Sequence, residues 1–278
     1  MDSSQHTSES PGTQAIAAAF VRARLAGTPL DGFPGRIPDD LEAAYACQDA
    51  AIALWPDQVV GWKVGYIAPA QRDAGGDPRL VGPIFKHAVW PENPGGILDF
   101  PVFVGGFAAV EAEYIFRLGS DVPEGRTEFS ADEAIALVAS LQVGVETAGS
   151  PLATINVLGP RVVVSDFGNN AGLILGPEIP DWTHMPDSQF NCSCSIDGVL
   201  VGRGGAGSVP GGLAAALAFA IGRCARRGIR LRAGTLVTTG AATGIHDISV
   251  GQVARLDFDG IGSIQCRAVP ATASAGQA

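Results

Sequence analysis

Val110-Glu111-Ala112-Glu113-Tyr114-Ile115-Phe116 is the stretch on which the fold of this chain turns. Residues alternate across a strand, so Glu111 and Glu113 share one face while Val110, Ala112, Tyr114 and Phe116 take the other. A half-solvated strand with two outward acids accounts for that pattern. The surroundings support another account. Phe103, Val104 and Phe107 make the strand one of the interior, where two like charges repel unless a cation sits between them. Carboxylate oxygens converging on one point suit Mg²⁺ or Mn²⁺ rather than zinc. Glu146, in Leu141-Gln-Val-Gly-Val-Glu-Thr147, ends another apolar strand with no basic neighbour and offers a third acid. Three carboxylates leave about three positions of an octahedral ion open to substrate and water.

Outward from these strands the texture is β-rich. Short apolar runs separated by Gly and Pro predict strands over 59–64, 84–90, 102–104, 109–116, 142–146, 161–164 and 172–175. A hairpin follows over 194–201, with Asp197-Gly198 at its turn, and then strands over 235–239, 253–258 and 263–267. Ser130 and Glu133 form a capping box ahead of a helix, and a small-residue helix covers 212–227, stopped by Gly228. Upstream, Ile16, Ala19, Phe20 and Ala23 recur at helical spacing before Gly27. A second helix starts at Asp39 or Asp40, acids that suit the positive end of its dipole, and runs towards Trp55. No linker or repeat interrupts the chain. The expectation is one α+β domain: a helical region over 14–58, a β-rich catalytic core over 59–270, and frayed polar ends over 1–13 and 271–278.

Composition narrows the classes. The 278 residues are 46% hydrophobic and carry a net charge of −10, which argues against a nucleic-acid binder. The longest apolar stretch, 213–221, is about half of what a membrane-spanning helix needs, and the first residues lack the basic and apolar regions of a secretory signal. Five irregularly spaced cysteines, with no CxxC pair, read as free thiols in a reducing compartment, and so as a cytoplasmic protein.

Other residues invite chemistry more weakly. Lys63, in Gly61-Trp-Lys-Val-Gly65, is one of two lysines, the other being Lys86. It reads either as a snorkelling surface residue or as a cation beside a metal that holds a carboxylate or moves a proton. Asp166, in Ser165-Asp-Phe-Gly-Asn-Asn-Ala171, is by itself more often a turn cap than a catalyst. Gly202-Arg-Gly-Gly-Ala-Gly207 has the spacing of a dinucleotide fingerprint, but it follows a hairpin strand and lacks the acid downstream. The four histidines (His6, His87, His184, His246) have no metal-ligand spacing, and no Gly-x-Ser-x-Gly elbow occurs.

Taken in order, Gly-Trp-Lys-Val-Gly, Val-Glu-Ala-Glu, Val-Gly-Val-Glu, Ser-Asp-Phe-Gly-Asn-Asn-Ala-Gly and Thr-Gly-x-x-Thr-Gly resemble the 2-keto-4-pentenoate hydratase / 2-oxohex-3-enedioate decarboxylase group of the fumarylacetoacetate hydrolase superfamily. The resemblance extends from Ala15 to Arg267. It implies a mixed, rolled β-sheet with outer helices, usually in a homo-oligomer. It further implies a Mg²⁺ or Mn²⁺ held by Glu111, Glu113 and Glu146, with Lys63 as active-site lysine and Asp166 as a catalytic aspartate. Asn169, Thr239 and Gly240 fall where substrate contacts are expected. The implied substrate is a small 2-oxo or 2-enol carboxylic acid.

Two departures bear on the reaction. Leu80 stands where hydratases of this group carry an acid, leaving Asp77 as the nearest substitute, and the histidine ahead of the late helix is replaced in Val209-Pro-Gly-Gly-Leu213. Hydration of a 2-hydroxy-2,4-dienoate is the first expectation. Decarboxylation of a 2-oxo-enedioate comes next, then tautomerisation, carbon–carbon hydrolysis and, last, non-catalytic binding of a carboxylate.

Overall fold

The computed structural model describes residues 11–273; the ends over 1–10 and 274–278, with His6, lie outside the described residues. Its strands, in chain order, are β1 (Val59–Tyr66), β2 (Arg79–Phe85), β3 (Val89–Pro91), β4 (Leu98–Val102), β5 (Phe107–Leu118), β6 (Val138–Ser150), β7 (Asn170–Glu178), β8 (Asn191–Ile196), β9 (Val199–Gly205), β10 (Leu236–Thr238), β11 (His246–Asp247), β12 (Val253–Phe258) and β13 (Gly262–Pro270). The helices are α1 (Pro11–Ala26), α2 (Leu41–Leu54), α3 (Ala131–Ile135), α4 (Ile155–Leu158), α5 (Pro160–Ser165) and α6 (Leu213–Arg226).

Two mixed sheets pack on each other. The larger runs β2-β1-β10-β5-β6-β7-β3, with β11 also against β5, and the smaller runs β4-β13-β12-β8-β9. Pairs β1/β10, β3/β7 and β4/β13 are parallel; the rest are antiparallel. The quoted stretch lies in β5, at the centre of the larger sheet. Its even-numbered face (Val110, Ala112, Tyr114, Phe116) joins Val143 and Val145 and meets Cys192, Leu256 and Phe258 of the smaller sheet in the main core. Burying each aromatic there removes roughly 150–250 Å² from contact with water, which makes Tyr114 and Phe116 large contributors to the core.

The opposite face of the larger sheet is also covered. Ile84, Ile115, Leu173 and Leu236 cluster on it. Ala17 and Val21 of α1, Ala50 and Ala51 of α2, Phe85 and Phe167 form a further cluster at the β2 edge. Asp40 caps α2 by accepting the Ala43 N–H. Gln48 of α2 donates to the Val81 and Val164 carbonyls, tying the helix to β2 and α5. Both N-terminal helices thus pack against the β2 edge of the larger sheet.

Several elements differ from expectation. The run 161–164 is helix α5: Pro160 supplies the fixed φ of a first helical turn after Gly159 at φ 96°, and this context overrides the strand preference of three valines. The run 84–90 divides into β2 and β3 around a single turn at Lys86–Ala88. Pro83 sits within β2 without breaking a ladder because β2 is an edge strand. The strand expected at 102–104 lies earlier, in β4, and α1 begins at Pro11, inside the stretch read as a frayed end. Gly202 to Gly205 form part of β9, antiparallel to β8; a Cβ on Gly204 would lie 1.9 Å from the Ala242 carbonyl oxygen. Those glycines serve close packing. No helix among the described residues is long and apolar enough to cross a membrane.

Candidate metal centre

Strand register sets the centre. Glu111 of β5 pairs directly with Glu146 of β6, and Glu113 pairs with Gly144, so the three carboxylates rise from one face of one ladder. The half-solvated reading fails here: Glu111 is 3% exposed, and Glu113 and Glu146 are 0% exposed. One carboxylate oxygen from each lies within 4.8 Å of the others. Glu111 Oε1, Glu113 Oε1 and Glu146 Oε2 are buried and have no hydrogen-bond partner among the described residues.

The second oxygens of Glu113 and Glu146 are tied down. Glu113 Oε2 accepts the backbone N–H groups of Thr239 and Gly240, at 3.1 and 2.9 Å. Glu146 Oε1 accepts from Asn170 Nδ2 at 3.0 Å and lies 3.2 Å from Lys63 Nζ. Lys63 also donates to Asn169 Oδ1 at 3.0 Å, and Asn169 Nδ2 donates to Asn156 Oδ1 at 3.1 Å. Lysine and three carboxylates leave two negative charges over, in a place where each unpaired charge costs several kcal/mol. A divalent cation cancels that excess. Three converging, unpartnered oxygens are also the donor set that hard cations take, so the residues present fit such an ion.

The titration behaviour follows from burial. Removal from water pushes Glu111 up to about 7, with Lys63 opposing and Glu146 adding to the rise. Burial likewise raises Glu113 well above the usual carboxylate range, reinforced by Glu146 and Glu111. Burial alone would lower Lys63, but the charges of Glu146, Glu111 and Glu113 outweigh it and hold the ammonium above its ordinary value.

Local strain delivers Asn169 to Lys63. Phe167, Gly168 and Asn169 all have positive φ (54°, 65° and 57°), a sequence that two non-glycine residues adopt only under constraint. Phe167 is locked between the rings of Trp55 and Phe85, with centroids at 5.5 and 5.0 Å. Gly82, opposite Lys63 in the β1/β2 ladder, lets this turn approach; a Cβ there would lie 2.1 Å from the Phe167 carbonyl oxygen.

Asp166 anchors the start of that turn. Its Oδ1 takes the Arg24 Nε–H at 2.5 Å and its Oδ2 accepts from Ser150 Oγ at 2.6 Å. Arg24 of α1 also donates to the carbonyls of Asn170 and Gly149. Asp166 is fully buried and is not part of the cavity wall. Asp77 is on the outer surface with Arg223 and Arg226, at 3.3 and 3.2 Å. The other residues singled out from the sequence come together: a cavity of about 380 Å³ is lined by Lys63, Glu111, Asn169, Thr239 and Gly240. Leu80 is in the same wall, and His246 is not.

Arg24, Asn156, Asn170 and Arg79 were not anticipated; Asn156 and Arg79 are in the wall. Arg24 left a trace in the sequence, since it follows Phe20 by four residues and so falls on the buried stripe of α1. Asn156 left none.

No protein-family model matches the chain. It is 27% identical over 208 residues to a 4-oxalocrotonate decarboxylase of Pseudomonas sp., across 74% of this chain and 77% of that protein. Its fold is similar to the 4-oxalocrotonate decarboxylase from Pseudomonas putida G7 complexed with magnesium and adipate, with TM-score 0.78 and 20% identity over 92% of this chain and 97% of the other. It is also similar to a fumarylpyruvate hydrolase from Pseudomonas aeruginosa in complex with Mn²⁺ and pyruvate, with TM-score 0.55 and 19% identity over 78% and 91% of the two chains.

Proposed function

We propose that the chain is a member of the fumarylacetoacetate hydrolase superfamily and, within it, a divalent-metal-dependent lyase that decarboxylates a small unsaturated 2-oxo acid of the 2-oxohex-3-enedioate type. The observation that carries this choice is the make-up of the cavity wall. Glu111 is the only acid in it among the described residues, no histidine is there, and Leu80 occupies the place where a water-directing acid would stand. Addition of water needs a group that orients the water and takes its proton. Asp166 and Asp77, the two substitutes, are committed to arginines away from the cavity. Loss of CO₂ needs no positioned water. The similarity to 4-oxalocrotonate decarboxylases supports the same choice.

Glu111, Glu113 and Glu146 would hold Mg²⁺ or Mn²⁺, which supplies Lewis-acid polarisation of a chelating 2-oxo acid. The chain's own residues do the rest. Asn169 and Glu146 hold the Lys63 ammonium in one place, where it pairs with the substrate's 1-carboxylate and donates a proton to the 2-oxygen. The bond to the distal carboxylate breaks, CO₂ leaves, and its electron pair enters the conjugated enone. One proton taken up at the 2-oxygen completes a 2-hydroxy-2,4-dienoate. Leu80 and Val163 in the wall keep the reacting carbons in an apolar setting. Assembly as a homo-oligomer and a cytoplasmic location are carried as further proposals.

The test is product analysis with 2-oxohex-3-enedioate and with a 2-hydroxy-2,4-dienoate, in ¹⁸O-labelled water with Mg²⁺ or Mn²⁺. Metal-dependent CO₂ release without incorporation of label is the expected result. Stable label at a newly hydroxylated carbon would establish hydration instead, and isomerisation alone would establish a tautomerase.

A further inference from the structure

The cavity wall contains a cation with no acid to answer it. Arg79, at the start of β2, is 8% exposed and makes no ion pair with a carboxylate among the described residues. Its Nη2 donates to the Pro210 carbonyl, and the other guanidinium nitrogens have no partner among the described residues. Pro210, Tyr66 and Gln71 line the cavity beside it. The guanidinium lies 6.0 Å from the centroid of the Tyr66 ring, and Arg72, whose Nε donates to the Ile67 carbonyl, lies 5.1 Å from the same ring. Most other arginines here are paired: Arg24, Arg223, Arg226, Arg227, Arg255 and Arg267 each face an acid. A sheltered guanidinium without a counter-charge is costly to keep and well suited to a carboxylate from outside.

Arg79 and Lys63 border the same cavity at different levels of the sheet. The β1/β2 ladder pairs Lys63 with Gly82 and Tyr66 with Arg79, which puts Arg79 three residues along from the level of Lys63. An odd spacing sends the two side chains from opposite faces of the ladder, so they border the cavity from different sides. Lys63 and Glu111 stand in one part of the cavity wall, and Arg79 stands in another with Tyr66, Gln71 and Pro210.

From this, and resting on the function proposed above, we infer that Arg79 binds the distal carboxylate of the substrate and makes the enzyme selective for 2-oxo dicarboxylates over 2-oxo monocarboxylates. The distal carboxylate is the one lost, so Arg79 is a specificity-determining residue. A contact that disappears as neutral CO₂ forms strengthens substrate binding more than it accelerates the reaction.

Calorimetry with 2-oxoadipate and 2-oxohexanoate, which differ only in the distal carboxylate, tests this on the full chain with Mg²⁺ present. The native protein binds 2-oxoadipate at least about tenfold tighter, which is about 1.4 kcal/mol. In Arg79→Met the ratio of the two affinities falls to near one, and Arg79→Lys restores part of it. Equal affinities in the native protein, or an unchanged ratio in Arg79→Met, would overturn the assignment while leaving the metal-dependent 2-oxo acid reading in place. Failure of the native protein to bind either acid would overturn both. Should Arg79→Met not fold, the comparison in the native protein and in Arg79→Lys still decides.

Discussion

Lys63 and Lys86 are the only lysines of the chain, and their surroundings predict opposite outcomes on substitution. Lys63 is 4% exposed and held by Glu146 and Asn169, whereas Lys86 sits in an exposed turn between β2 and β3. Lys63→Met is expected to lower turnover roughly 10²–10⁴-fold, the usual weight of a positioned proton donor. Metal content, read by elemental analysis, is expected to stay intact, and Lys86→Met to behave as native; equal losses in the two variants would remove Lys63 from the mechanism. At this scale the sequence told much about the metal ligands and little about their supports. Glu111 and Glu113 stand two apart in an apolar run, a pattern visible without a fold. Arg24 and Asp166 meet across 142 positions, and Asn156 reaches Lys63 only through Asn169, relations that no local pattern encodes.

The element that most directly shapes the site is the left-handed turn at Phe167–Asn169, backed by β2 and pinned by α1. Gly82→Ala would drive a methyl group into the Phe167 carbonyl, so the turn must shift. Overpacking of this kind costs about 1–3 kcal/mol, and the Lys63–Asn169 hydrogen bond is expected to be lost with it. Urea unfolding and steady-state kinetics should show both effects together; a stable variant with native kinetics would mean the turn is slack. Asp166→Asn tests the pin. Leaving Arg24 buried and uncompensated is expected to cost about 3–5 kcal/mol. The folded fraction should keep the shape of the native pH–rate profile, because Asp166 is walled off from the cavity; a lost limb of that profile would make it an acid or base of the reaction. Element types were largely legible where alternation or helical spacing ran for several residues, as in β5 and α1. They were misread at 161–164, where three valines suggested a strand and Gly159-Pro160 imposed a helix.

For the molecule as a whole, the acid cluster makes stability depend on pH and metal together. Glu111 titrates near 7 in the folded state and Glu113 is also raised, both above the value of about 4.5 they regain on unfolding. The folded form then binds protons more tightly; the contribution of Glu111 is complete below pH ~4.5 and is lost as pH rises through ~7, and that of Glu113 is lost in the same direction. His246, lowered by burial, acts in the opposite sense near neutrality. Metal-free protein is therefore expected to gain more from Mg²⁺ at pH 8 than at pH 5, where protons already occupy the acids. A concentration of about 100 times Kd adds about 2.7 kcal/mol. Thermal melts with EDTA and with Mg²⁺ at the two pH values check this; an equal gain at both would mean that the ion does not compete with protons at Glu111 and Glu113.

Strand β10 carries a last consequence. Only three residues long, it is inserted between β1 and β5 and is followed at once by Thr239 and Gly240, whose N–H groups hold Glu113. On the ribosome, the β1/β2 and β5/β6 hairpins emerge long before it, each with an open edge facing a gap of one strand's width. All three acids are present in the nascent chain, yet the two N–H groups that hold Glu113 are added only when translation reaches residues 239 and 240. Until then those two edges are free to join each other or a neighbouring polypeptide, which makes this slot the place where a stalled or truncated product would aggregate.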